Sequence, residues 1–181
     1  MAIKQYKLLE DEFIDITDYI YLAEGHFQVY SFHLMNLLIR IGIEFDSISN
    51  GLLKTWLDQS RIGNNALVSH LKEKTRSGEF FKIEDYRKAF EEQFQASTLH
   101  RTLRSLSEKL YPFQPGDLRR TLPWWKAFTS LKHDRIENFV KAATMHHVLH
   151  ALAALHIATY QLASEKGHSV FPESELFLPD G

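Results

Sequence analysis

The sequence predicts an all-α protein, an up-and-down helical bundle of four to six helices with irregular loops, and three observations carry that prediction. Residues 26–56 place Phe27, Tyr30, Leu34, Leu37, Leu38, Ile41, Phe45 and Ile48 at helical spacing and leave little polar face, as a central bundle helix requires. Residues 123–160 hold two further helices that meet at a charged corner, Lys132-His133-Asp134-Arg135. A length of 181 residues with 44% hydrophobic and 24% charged content suits one soluble domain able to bury a core. The expected layout is a single domain over 1–181, with the core at about 10–164 and a packed irregular tail at 165–181.

The elements follow in order. Residues 8–21 form a short acidic helix that turns at Glu24-Gly25, ahead of the long helix. On the long helix Arg40 and Glu44 are one turn apart, so Glu44 pairs with Arg40 or reaches across to Lys132, His133 or Arg135, because a buried carboxylate needs a cation. Gly42 and Gly51 weaken this helix and mark close packing or a bend. Residues 60–65 read as a loop, 66–74 as a short helix, Ser77-Gly78 as a turn, and 83–94 as a helix with Ile83, Tyr86 and Phe90 on one side. Residues 98–110 read as a helix on Leu99, Leu103, Leu106 and Leu110, with two short strands as the alternative. Pro112, Pro115 and Gly116 make 111–122 a loop, and Phe171, Leu176 and Phe177 pack the tail.

The corner is where chemistry concentrates. Pro123 suits a first helical turn, since its missing N–H has no intrahelical partner there. Trp124, Phe128 and Leu131 then share one face, while Lys126, Thr129 and His133 share another. Asp134 is a good N-cap with Glu137 three residues on, and the apolar run from Ile136 to Tyr160 continues as one helix until Gly167. That places the corner at a helix N-terminus, where the dipole and the charges of Lys132 and Arg135 welcome an anion and favour the neutral form of His133 that a general base needs. The plainer alternative is a capping Asp134, solvated Lys132 and Arg135, and a His133 that only packs. Residues 98–145 carry nine Lys/Arg against four Asp/Glu, net +5 in a chain of net charge -2, which is compatible with a phosphate-bearing partner.

Other classes fall away. No Cys is present, which excludes disulfides, thiolate metal sites and a cysteine nucleophile. The N-terminus lacks an apolar signal core and the most apolar run, 151–158, is short and contains His156, so a cytoplasmic protein with no membrane span is expected. No Gly-rich phosphate loop, nucleophile elbow or dinucleotide fingerprint occurs. His146 and His150 are spaced i, i+4 on a helix and offer two imidazoles to a metal, with a third ligand needed from His26, His33 or Glu44; the alternative is that they are half-buried polar positions of a packed helix. Trp125 is the candidate for stacking on a base, Trp124 being a core residue by its spacing.

The pattern YSFHLMNLL in an early helix, then Glu44, then PWWKAF, then LKHDR opening an Ala/Leu-rich helix, resembles the HEPN-like superfamily of prokaryotic helical bundles over residues 10–164. The resemblance implies a four- or five-helix bundle, often a homodimer, and RNA binding or metal-independent RNase activity in toxin–antitoxin or phage-defence systems, with no cofactor. Active members carry Arg, four to six intervening residues, then His. Here His133 matches the His, but Lys126, Ala127 and Phe128 stand where the Arg is expected. The resemblance thus implies His133 as proton acceptor with Lys126 and Arg135 on the phosphate and Glu44 as orienting carboxylate, and a ligand surface of Lys132, Arg135, Arg120 and Trp125. A non-catalytic dimeric binding module and a His-based metal-binding bundle remain the alternatives.

Overall fold

The computed structural model describes residues 1–115, 121–167 and 173–178. Its frame is four helices: α1 (Ala2–Thr17), α2 (Phe32–Asp58), α5 (Pro123–His133) and α7 (Met145–Glu165). Between α2 and α5 lie α3 (Asn65–Ser77), α4 (Ile83–Phe94) and a minimal hairpin of β1 (Arg101–Thr102) and β2 (Lys109–Leu110); the short α6 (Arg135–Ala142) joins α5 to α7. No described helix is long and apolar enough to cross a membrane.

The two most apolar helices, α2 and α7, run parallel through the centre. An isolated bridge joins Tyr30 to Thr144 just before both begin. At the far end Trp56 Nε1 donates to Glu165 Oε1 at 3.0 Å. Both helices therefore bury more than one side, α7 keeping Val148, Leu149, Leu152, Leu155 and Ile157 in the core. α1 runs the other way, because Arg40 near the start of α2 pairs with Glu12 near the end of α1, while Tyr6 packs on His156 late in α7. α5 is also antiparallel to α2: Phe128 lies against Gly42 and Trp124 against Phe45, ring centroids 5.0 Å apart. The four helices thus alternate in direction, as the sequence predicts. α4 covers the end of α2, with Tyr86 and Phe90 edge-on to Phe45 and Phe94 edge-on to Trp56.

Three expectations need correction. Arg40 bonds Glu12 rather than Glu44. Residues 98–110 are not a helix: Arg101 pairs with Leu110 and Thr102 with Lys109 across the hairpin, and Leu103 bridges Phe177, so the tail becomes a third extended segment beside it. Backbone pairing and the burial of Arg101 against His156 outweigh the helical leucine spacing. The apolar run after Asp134 is not one helix either. It breaks at Ala143-Thr144, because the Thr144 hydroxyl accepts the His147 N–H while the N–H groups of Met145 and His146 donate to the carbonyls of Val29 and Phe27.

The tail is packed as expected through Leu176 and Phe177, and Phe171 lies outside the described residues. Glu10, fully buried on α1, holds it. Its carboxylate accepts from the Tyr6 and Ser174 hydroxyls, Lys7 Nζ, and the N–H groups of Glu175 and Leu176.

Candidate functional site

α5 begins at Pro123, as its fixed φ and missing N–H allow, and buries Trp124, Ala127, Phe128 and Leu131. His133 is its last residue. Asp134 leaves the helix in an extended conformation, and Oδ1 accepts the N–H groups of Ile136 and Glu137 at 3.1 and 3.0 Å to open α6. The corner is therefore two helix ends back to back, clamped by Asn138 Nδ2, which donates to the Asp134 carbonyl at 2.9 Å.

This geometry corrects the field expected at His133. The imidazole stands on the carbonyl end of α5 and not in the first turn of the next helix. The N-terminus of α6 is occupied by the carboxylate of Asp134, so the cations and not the helix dipole are what an external anion meets there. Lys132, His133 and Arg135 are all exposed. None of the three side chains makes a hydrogen bond or ion pair to a described residue, and the Lys132 ammonium lies 6.0 Å from the Phe128 ring centroid.

The remaining nominated residues are distributed differently. Lys126 is exposed on the His133 face but two turns away, about 10 Å along the axis. Glu44 is half-buried on α2 between Gly42, which meets Phe128, and Phe45, which meets Trp124 and Trp125. It is thus level with the middle of α5, while His133 stands about 7 Å further along that helix. Glu44 bonds neither His133 nor either corner cation, so the structure does not bring the orienting carboxylate to the corner. Trp125 is half-buried, with its ring against Phe45, Trp124 and Phe128. Arg120 lies outside the described residues.

The basic stretch also divides. Arg101 is buried with Nε donating to His156 Nδ1 at 2.7 Å, and Arg104 donates to the Ser174 carbonyl. Both serve the tail and hairpin rather than the corner.

At the start of α7, His146 and His150 lie with ring centroids 4.3 Å apart. His150 Nδ1 is 3.0 Å from the His146 carbonyl, and His147 Nδ1 is 3.0 Å from the Ala142 carbonyl, so these nitrogens carry the protons. Burial lowers all three histidines, and pushes His150 down to about 4. They are neutral at physiological pH, but no group of three His, Cys, Asp or Glu side chains able to hold a metal occurs among the described residues. The pair has no third ligand from His26, His33 or Glu44.

One charged constellation escaped the sequence. On α4 Asp85 accepts from Lys74 Nζ at 2.7 Å and from the Lys82 N–H, and contacts His70 Nε2 at 3.0 Å. Burial alone raises its carboxyl, but the bonds from Lys74, Lys82 and His70 outweigh that and hold it below the usual carboxylate range. His70 borders an open cleft between α3 and α4 of about 640 Å³. The Asp three residues into a helix was the available signal, and its capping geometry explains the bond from the Lys82 N–H, while those with Lys74 and His70 come from α3.

Compared with protein families, curated proteins and solved structures, the chain shows no significant match to any.

Proposed function

We propose that this is a HEPN-like RNA-binding protein whose α5–α6 corner takes the phosphate backbone, with His133 positioned for metal-independent cleavage. The observation that supports this reading is the contrast among its cations. Arg40, Arg61 and Arg104 are committed to internal partners, whereas Lys132 and Arg135 stand beside His133 at one exposed corner with no side-chain partner among the described residues. An exposed group of unpaired cations repels itself, and a polyanion relieves that repulsion.

In the cleavage step the His133 imidazole accepts the proton of a ribose 2′-OH. The 2′-oxygen attacks the adjacent phosphorus and the 5′-oxygen leaves with a proton from water, giving a 2′,3′-cyclic phosphate. Lys132 and Arg135 stabilise the charge that builds on the phosphate oxygens. Lys126, two turns back, meets the neighbouring phosphate rather than the reacting one.

The test is incubation of end-labelled single-stranded RNA with the protein in chelator, beside His133→Ala. Cyclic-phosphate ends made by the wild type and lost in the variant are expected. Equal cleavage by both would remove His133 from the mechanism, and binding without cleavage would leave an RNA-binding protein only.

A second reading is a homodimeric binding module without catalysis, favoured by one observation: Ile136 on α6 is 91% exposed and Val140 lies one turn along the same face. Sedimentation at micromolar concentration tests it, with Ile136→Glu expected to dissociate a dimer built on that face.

A further inference from the structure

The rings that α6 leaves open to solvent form an ordered group. Phe139 stacks on Phe32, the first residue of α2, with centroids 4.4 Å apart and planes inclined by 21°. Tyr30 meets the same Phe139 edge-on at 5.4 Å. Phe32 is 67% exposed and Tyr30 is 44% exposed, so one side of this stack faces water. Water-facing aromatic stacks are costly for a protein surface, and this one sits where α6, the start of α2 and the Tyr30–Thr144 bridge meet.

Around the stack the chain carries Lys132, Arg135 and Lys141 against the carboxylates of Asp134 and Glu137. Arg135 stands one turn before Phe139 on α6, so the two side chains are neighbours on the helix surface. Lys132 and Lys141 are exposed on either side along the chain, and the exposed Asp134 carboxylate is turned to the N–H groups of Ile136 and Glu137. A planar apolar surface beside guanidinium and ammonium groups matches a base beside its phosphate. Duplex RNA cannot use it, because its bases are stacked on each other.

Resting on the reading that the corner binds RNA, we infer that Phe32, Phe139 and Tyr30 form a base-stacking platform for single-stranded RNA, with Arg135 and Lys132 holding the adjoining phosphates. This assigns the stacking role to α2 and α6 rather than to Trp125, whose half-buried ring packs against Phe45, Trp124 and Phe128. It also sets the ligand class: unpaired bases next to the corner, not a helix.

The experiment is fluorescence anisotropy with a short labelled single-stranded RNA and the matching duplex, in chelator. Phe32→Ala is expected to weaken single-strand binding about tenfold and Phe32→Trp to preserve it, with duplex binding unchanged. Phe32 is largely exposed, so the variants should melt with the wild type. Photo-crosslinking of thiouridine-labelled RNA to the wild type gives a readout that needs no variant, and adducts on peptides holding Phe32 or Phe139 are expected. If Phe32→Ala binds single strands as the wild type does while Lys132→Glu/Arg135→Glu loses them, the platform is overturned and the corner stands. Absence of RNA binding by the wild type overturns both. A dimer that Phe32→Ala dissociates would show a second copy on these rings and would also overturn the platform.

Discussion

Phe128 lies flat on the bare backbone of Gly42: a Cβ added at that glycine would fall 2.4 Å from Cδ2 of the ring. This contact sets how closely α5 approaches α2, and with it the position of the corner five residues further on. Gly42→Ala should therefore destabilise the fold by about 1–3 kcal/mol, despite the higher helix propensity of alanine. Gly51 on the same helix has nothing within 4 Å of an added Cβ, so Gly51→Ala should stabilise by about 0.5–1 kcal/mol. Denaturant melts of the two variants read both signs, and Phe128→Leu should recover part of the Gly42→Ala loss.

Glu10 connects α1 to a tail more than 160 residues away in sequence. Burial alone pushes its carboxyl up, but bonds from Ser174, Lys7 and Tyr6 outweigh it and hold the group below its ordinary value of 4.5. The stability it supplies is complete above that value and is lost as pH falls through the lower folded value. Glu10→Ala leaves several buried donors unpaired and should cost about 3 kcal/mol. Hydrogen exchange should then show early opening at the amides of Arg104 and Leu178, which join the hairpin to the tail.

The histidines of α7 act in the same sense, although they are bases. An unfolded His150 takes a proton near 6.5, while burial and the neighbouring His146 delay this in the fold to about 4. The fold is at full strength above the unfolded value and weakens as pH drops from 6.5 to about 4, by at most about 3 kcal/mol for this residue. Melting temperatures across that range should fall less steeply for His150→Gln than for the wild type. Equal slopes would assign the acid limb to other groups.

Local signals were legible in the sequence and distant ones were not. α4 runs over the residues its periodicity marks, Pro123 opens α5, and Asp134 caps α6, because each depends on residues within one turn. Gly42 was marked for close packing, but only the fold names Phe128 as the reason. The break at Ala143-Thr144 depends on carbonyls of Phe27 and Val29, more than 100 residues earlier, so an unbroken apolar run concealed it. The hairpin at 101–110 depends likewise on Phe177 and His156. At the site the cluster of His133 with Lys132 and Arg135 follows from adjacency in sequence. The polarity of the helix end at His133, the distance to Glu44 and the exposure of Phe32 follow from how α5 and α6 fold back on α2.

The central claim is that the corner cations take an RNA backbone, and the salt dependence of binding tests it most directly. Single-stranded RNA should bind the wild type with affinity falling as salt rises, at a slope of about 0.7 per phosphate contacted. Lys132→Glu/Arg135→Glu should weaken binding at low salt and reduce that slope by more than one. An unchanged slope in the double variant, or no binding by the wild type at low salt, would contradict the account.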